Sequence, residues 1–400
     1  MSINLQGKAT RRWTRTHNSR LVLRTIYGHG QISRADVARL TGLTRPTVSS
    51  VVASLAKKGL VEEVGRGPSV GGKPPILLCV ADDARQVISL DLARSDFNGA
   101  LINLRGSVRQ RVVLPLHGRD GDAALALVYE LVDALVKEAS SPLLGIGIGT
   151  PGLVGADNGV VHQAVNLGWQ DLPLGRLLRK RYRLPVYMAN DCHVAALAEY
   201  TFGASGGIKD LVVIKAGWGI GAGIVLDGRL VCGNPFGAGE IGHVTIVENG
   251  EQCRCGNFGC LETIASSRAI VRRAQAIAKS DPHSLLHQFA ADSDAITLDA
   301  VLQAFEAGDE PVRQVIREVG QSLGSAAANL VGVLAVQHIL IGGSVARFGQ
   351  FLVEAIRESM IRHSLPSLAR NTQVGIASLG SDVVLLGASA LVLSYELGLI

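Results

Sequence analysis

The segment GEIGHVTIVENGEQCRCGNFGCLE, residues 239–262, constrains this chain more than any other. It places one imidazole and three thiols, His243, Cys253, Cys255 and Cys260, within a single short stretch. Four such donors match the closed tetrahedral set of a structural zinc site, and Gly256 and Gly259 let a short knuckle wrap one ion. Cysteines clustered this tightly in an intracellular chain read as metal ligands rather than disulfides. Cys79, Cys192 and Cys232 stand in apolar contexts and read as core residues. A knuckle of this size has no core of its own, so the rest of the 400 residues must supply the scaffold that carries it.

That scaffold reads as α/β. Hydrophobic residues make up 47% and aromatics only 4%, while Gly reaches 47 residues, a balance suited to turns that bring backbone close to ligands. From about Ile76, β-branched runs alternate with helical stretches: QVISLDLA, FNGALINL, LLGIGIGTPG, LPVYMAND, LVVIKAGWGIGAGIVLDG, QHILIGGSVA and DVVLLGASALVL. A strand-turn-strand opening at 87–105 recurs at 211–231, the duplication expected of two actin-like (ribonuclease H-like) lobes binding a ligand between them. A membrane span is not expected. The longest uncharged stretch, Val319–Ala346, is broken by polar residues and by Gly342-Gly343, and reads as a buried helix followed by a buried strand. The run after Asp382 is too short, and the N-terminus lacks the apolar core of a signal peptide, so a soluble cytoplasmic protein is expected.

The net charge of +5 is unevenly distributed. Residues 1–75 carry 13 Lys/Arg against three acids, a balance of +10, leaving −5 for the remainder. A basic front end on a mildly acidic body points to a polyanionic partner. The same region has the punctuation of a winged helix-turn-helix. Asn18–Tyr27 reads as a first helix. Ser33 caps a second, with Ala35, Val37, Ala38 and Leu40 as its apolar face, and Thr41-Gly42-Leu43 makes the turn. Thr44 then caps a third helix with Pro46 in its first turn. Arg45, Pro46, Thr47, Ser49 and Ser50 are the candidate contacts to double-stranded DNA, because the start of a recognition helix meets base edges and phosphates. VEEVGRG and GGKPPILLCV form a wing carrying Arg66 and Lys73, two further DNA candidates. A three-helix bundle for protein contacts is the plainer alternative; the charge, the Gly turn, the Thr cap and the basic wing favour DNA.

Beside the cysteine cluster lie Glu240 and Glu262, with Asn190-Asp191 on an earlier post-strand loop. Carboxylates and amides converging on a cleft suit adjacent hydroxyls, as on a sugar ring. Each residue alone could equally be a cap or a surface group, and Glu262 could simply open the next helix.

Read together, GIGIGTPGLV (145–154), NLGWQDLPLGRLL (166–178), LPVYMAND, GIGAGIVLDGRL (219–230), GEIGH, CRCGNFGCLE and ILIGGSVA resemble the ROK family (repressor, open reading frame, kinase), in the branch with an N-terminal winged helix. The resemblance covers nearly the whole chain. It implies a two-lobed actin-like body, dimers or tetramers, and a structural zinc ion whose ligand His243 also orients a sugar pocket. By the same resemblance Gly152, Asn166, Asn190, Asp191, Glu240, His243 and Glu262 bind the sugar. The expected division is a winged helix at 1–80, a first lobe at 81–190 completed by the C-terminal helix, and a second lobe at 191–400 holding the knuckle at 243–260.

The departures bear on activity. Kinase members carry a D-x-G-G-T turn in their first phosphate hairpin; here Asp91-Leu92-Ala93-Arg94-Ser95 has neither glycine, and phosphate approach needs backbone without a Cβ. Their second hairpin reads G-T-G-x-G; here Trp218 replaces the small hydroxyl residue in Gly217-Trp218-Gly219-Ile220-Gly221. Cys192-His193 also departs from the usual N-D-A-N run. Asp191, the sugar base of a kinase, is retained. The sequence therefore predicts no kinase activity but a sugar-responsive repressor of carbohydrate-metabolism genes, bound as a homodimer or tetramer to an inverted-repeat operator and released by a sugar between the lobes. An ATP-dependent sugar kinase with a DNA-binding arm is the alternative, and a constitutive DNA-binding scaffold a third reading.

Overall fold

The computed structural model describes residues 11–68, 74–93, 95–204, 208–234 and 237–400. Three helices open the chain: α1 (Arg11–His29), α2 (Arg34–Thr41) and α3 (Arg45–Lys57). They carry a small sheet of β1 (Ile32–Ser33), β2 (Val61–Arg66) and β3 (Ile76–Val80), in the order β1-β3-β2. The Ser33 hydroxyl accepts the Asp36 N–H and caps α2; Thr44 does the same for α3 through the Thr47 N–H. Gly42 between them has φ +69°, a left-handed conformation that closes the tight turn without a Cβ penalty. Val22, Ile26, Val37, Val48, Val52 and Leu55 form the core of this module.

Two details differ from the sequence expectation. Helix α1 starts at Arg11, seven residues before Asn18. Leu40 is 49% exposed and Ala35 is also exposed, so the buried face of α2 is carried by Val37 and Ala38. Leu40 lies about 200° around the helix from Ala38, which turns it to solvent.

The chain continues through β4 (Gln86–Leu92), β5 (Asp96–Asn103), β6 (Val108–Pro115), α4 (Gly121–Glu138), β7 (Leu143–Thr150), β8 (Leu153–Gly155), β9 (Val160–Ala164), β10 (Trp169–Leu172), α5 (Leu174–Tyr182) and β11 (Val186–Asn190). After α6 (Asp191–Phe202) come β12 (Leu211–Ala216), β13 (Ile220–Leu226), β14 (Arg229–Leu230), the short α7 (Leu261–Ala265), α8 (Ser267–Ser280), α9 (Leu298–Ala307) and α10 (Glu310–Leu334). The last elements are β15 (His338–Gly342), α11 (Gly349–His363), α12 (Pro366–Ala369), β16 (Gln373–Ile376) and α13 (Val383–Val392).

Two five-stranded sheets repeat one plan: β6-β5-β4-β7-β11 and β14-β13-β12-β15-β16. In each, a hairpin opens the sheet antiparallel, and the strand that follows a helical crossover joins the hairpin's first strand in parallel. This is the duplicated actin-like plan. The central strands are buried on both faces, so they read as mainly apolar runs rather than alternating ones, broken by Ser89 and Asp91 in β4 and by Lys215 in β12. The run DVVLLGASALVL is a helix, α13, and not a strand; a uniformly apolar stretch lacks the period that separates the two. The window Gly380–Leu397 is long and apolar enough to cross a membrane, yet 61% of it is buried inside the protein, as in a core helix. Val319–Ala346 forms the end of α10 and all of β15, a buried helix and then a strand, as its polar interruptions suggested.

The residues divide into two compact units. The first takes the chain up to Gly152, Ala156–Met188 and Ala388–Ile400; the second takes Leu153–Gly155 and Ala189–Gly387. Within the first, the winged helix is tied to the sheet rather than tethered. The Tyr27 hydroxyl donates to the Leu104 carbonyl at 2.8 Å, and Arg105 donates to the Tyr27 carbonyl at 2.7 Å with its guanidinium 4.1 Å from the ring centre.

Candidate functional site

In the second unit, β11 ends where α6 begins, and the join presents Asn190 and Asp191. The Asn190 side chain accepts the Cys192 N–H at 2.8 Å, capping α6, so part of its polar capacity is structural. Asp191 accepts from the Lys215 ammonium at 2.5 Å, an ion pair the sequence reading missed. Burial pushes the Asp191 carboxyl up, but the Lys215 charge and hydrogen bond outweigh it and hold it below the usual carboxylate range. Cys192 packs behind it, its thiol pushed well up by burial and by the Asp191 charge. Of the three cysteines expected in the core, only Cys192 is buried; Cys79, on β3 beside Glu62, and Cys232, two residues beyond β14, are half-buried.

Glu262 stands in the first turn of α7, with both oxygens engaged. One accepts from Arg268 at 2.9 Å and the other from the Ile220 N–H at 3.2 Å. The Arg268 guanidinium also lies 5.1 Å from the centre of the Trp218 ring and donates to the Trp218 carbonyl at 3.3 Å. The turn between β12 and β13, which carries phosphate in kinases by the sequence comparison, is thus backed by a protein cation and topped by an indole that is 43% exposed. Glu240 completes the group. Burial raises its carboxyl above the ordinary range, His243 opposes this, and the nearby Asp191 and Glu262 charges add to it.

His243 joins this group to the cysteines. Its Nε2 lies 4.0 Å from a Glu240 oxygen, while its Nδ1 lies 3.7 Å from the Cys253 sulfur. Ligand atoms of His243, Cys253, Cys255 and Cys260 all fall within 4.8 Å of one another, and the Cys255 and Cys260 sulfurs are 3.7 Å apart. Ligands about 2.3 Å from a tetrahedral ion sit about 3.8 Å apart, so the spacing fits one metal. The thiol chemistry agrees: burial and the neighbouring thiols push Cys260 up to about 12, so it is a cation that would hold the set ionised at neutral pH. The fold around them leaves no slack, since a Cβ on Gly259, at φ +66°, would sit 1.7 Å from the Val247 carbonyl oxygen.

Asn190, Asp191, Glu240, His243 and Glu262 therefore share the second unit, and the last four lie within contact or electrostatic reach of a neighbour in the set. Gly152 and Asn166 belong to the first unit, Asn166 exposed on a single 3-10 turn, Val165–Leu167. A separate cavity of about 420 Å³ in the second unit is lined by Arg273, Glu318, Gln321, Ser325 and Arg362 and by none of these residues. On the winged helix, Arg45, Pro46, Ser49, Ser50 and Arg66 are exposed and Thr47 is half-buried, bonded to Thr44. Lys73 lies outside the described residues.

A model of the ROK family matches residues 87–395, and one of the MarR family matches residues 15–68. The chain belongs to the ROK family. It is 35% identical over 381 residues to the xylose repressor of Caldicellulosiruptor bescii, a match covering 94% of this chain and 95% of the relative. A glucokinase of Halalkalibacterium halodurans is also 35% identical, over 322 residues, but spans 78% of this chain and 96% of its own. Among solved structures, a ROK family transcriptional regulator homologous to the E. coli MLC protein has a TM-score of 0.86 at 30% identity, covering 96% of this chain and 98% of that one. The glucokinase accounts for the ROK body; the repressor and the regulator account for the winged helix as well. This ROK protein is thus built as a sugar-responsive DNA-binding transcriptional regulator.

Proposed function

We propose that this ROK regulator is a repressor of carbohydrate-metabolism genes, released from its operator by a neutral monosaccharide bound at Asn190, Asp191, Glu240, His243 and Glu262. One observation carries the reading: three carboxylates and an imidazole gather at one place, and Glu240 is raised there by burial and by its acidic neighbours. A polyol relieves that crowding, because hydroxyls donate to carboxylates without adding charge. Zinc is the ion of the His243–Cys253–Cys255–Cys260 set, in a structural role, since four protein donors close a tetrahedron. Holding His243 through Nδ1 would leave an Nε2–H donor on the Glu240 side.

Arg45, Pro46, Thr47, Ser49, Ser50 and Arg66, with Lys73, are the DNA contacts. A homodimer places two recognition helices on an inverted repeat, in the cytoplasm where the target genes lie. Kinase activity is not proposed. Asp191 is committed to Lys215, and the turn Gly217–Gly221 carries the bulky Trp218, stacked near Arg268, where kinase members have a small hydroxyl residue.

The test is fluorescence polarisation with DNA from the gene's own upstream region, at fixed salt, against D-xylose and a panel of other neutral monosaccharides. Specific binding weakened by one sugar is expected. Binding unmoved by a sugar that demonstrably occupies the site would overturn induction. ATP-dependent phosphorylation lost in Asp191→Ala would revive the kinase reading.

A further inference from the structure

The last turn of the chain, Leu393–Leu397, is π-helical, a wide turn inserted at the end of an α-helix and found often at working parts of proteins. Three contacts converge on it, all inside the first unit. The Tyr187 hydroxyl donates to a Glu396 carboxylate oxygen at 2.6 Å. The Tyr187 and Tyr395 rings stack with centres 4.6 Å apart and planes 3° from parallel. From the other side, Arg20 of α1 donates to the Tyr395 carbonyl at 2.7 Å, and its aliphatic stem packs against Gly398. That carbonyl lies in the last turn of the helix, so the Arg20 cation also meets the negative helix end.

Tyr187 sits on β11, the strand that ends at Asn190 and hands over to Asp191. Arg20 sits on α1, against which both other helices of the DNA-binding module pack. We propose that Tyr187 is a positioning residue that sets the register of the C-terminal π-turn and, through the Tyr395 carbonyl and Arg20, fixes α1 of the winged helix. Displacement of β11 by a ligand at Asn190-Asp191 then moves the grip on α1. That last step rests on the sugar-site reading; the linkage from Tyr187 to α1 does not.

The experiment is hydrogen–deuterium exchange on the full chain, with α1 read relative to α4, so that any global loosening cancels. Tyr187→Phe keeps the ring stack and deletes only the hydroxyl donor. It should speed exchange at Leu393–Leu397 and in α1 around Arg20 by about five-fold relative to α4, as losing one net hydrogen bond does. The same change made in Arg20→Ala should add nothing further in α1, because the path is already cut. Glu396→Ala, which removes the acceptor instead of the donor, should reproduce Tyr187→Phe. Effects confined to Leu393–Leu397, or effects of Tyr187→Phe and Arg20→Ala on α1 that simply add, would overturn the linkage. None of these outcomes depends on a sugar, so failure here leaves the repressor reading standing, and failure of the sugar titration leaves this one.

Discussion

Lys215 shows how a single side chain redirects a site. A carboxylate intended as a base must be free to take a proton, whereas Asp191 is neutralised by an ammonium and held ionised. Replacing Lys215 by Met leaves that charge largely buried and unpaired. Urea denaturation at pH 7 should show a loss of about 2–4 kcal/mol. The pH dependence has a fixed sign. Because the folded Asp191 carboxyl is depressed, its stabilisation is present above the ordinary carboxylate range and is lost as pH falls from there toward the lowered value. Asp191→Asn should flatten that acid limb in denaturation midpoints measured between about pH 5 and pH 2, and an unchanged limb would show that Asp191 is not the group responsible. Lys215 was open to notice, since a charge inside the buried run LVVIKAG needs a partner. The partner itself was not, because Asp191 lies 24 residues away on a different element.

At the scale of elements, what could be read from the sequence was local. The caps at Ser33 and Thr44, the Gly42 turn, the repeated hairpin and the four metal donors each lie within a single short stretch of chain. The misread parts depended on distant packing: α13 taken as a strand, Leu40 placed inside, and Arg268 unseen behind Trp218. Two predictions belong here. Thr44→Ala removes the α3 cap and should cost about 1 kcal/mol in the thermal unfolding of the winged helix. Cys255→Ser leaves three donors, one of them the neutral imidazole of His243. Elemental analysis should then find bound zinc reduced from about one per chain to a small fraction of that. Full sugar response in the zinc-free variant would separate the knuckle from the site.

For the whole molecule, the basic front end sets how binding answers to salt. If Arg45 contacts a base edge, Arg45→Ala should weaken the operator by about 1–3 kcal/mol while leaving non-specific DNA nearly unchanged; Arg66→Ala should weaken both and lower the salt slope by about one. Polarisation titrations at several salt concentrations distinguish the two behaviours. The attachment of α1 carries a further consequence. Tyr27, Arg105 and Arg20 bolt the DNA-reading module to the body at the middle and the C-terminal end of one helix, with no slack tether between them. In a dimer, such a mounting makes the pair a caliper with a fixed opening. Each base pair added between half-sites shifts the far one by about 3.4 Å and swings it about 34° around the duplex axis. A tethered reader would absorb that; this one should reject operators lengthened or shortened by a single base pair, and recover only when a full turn is inserted and the DNA is bent to meet it.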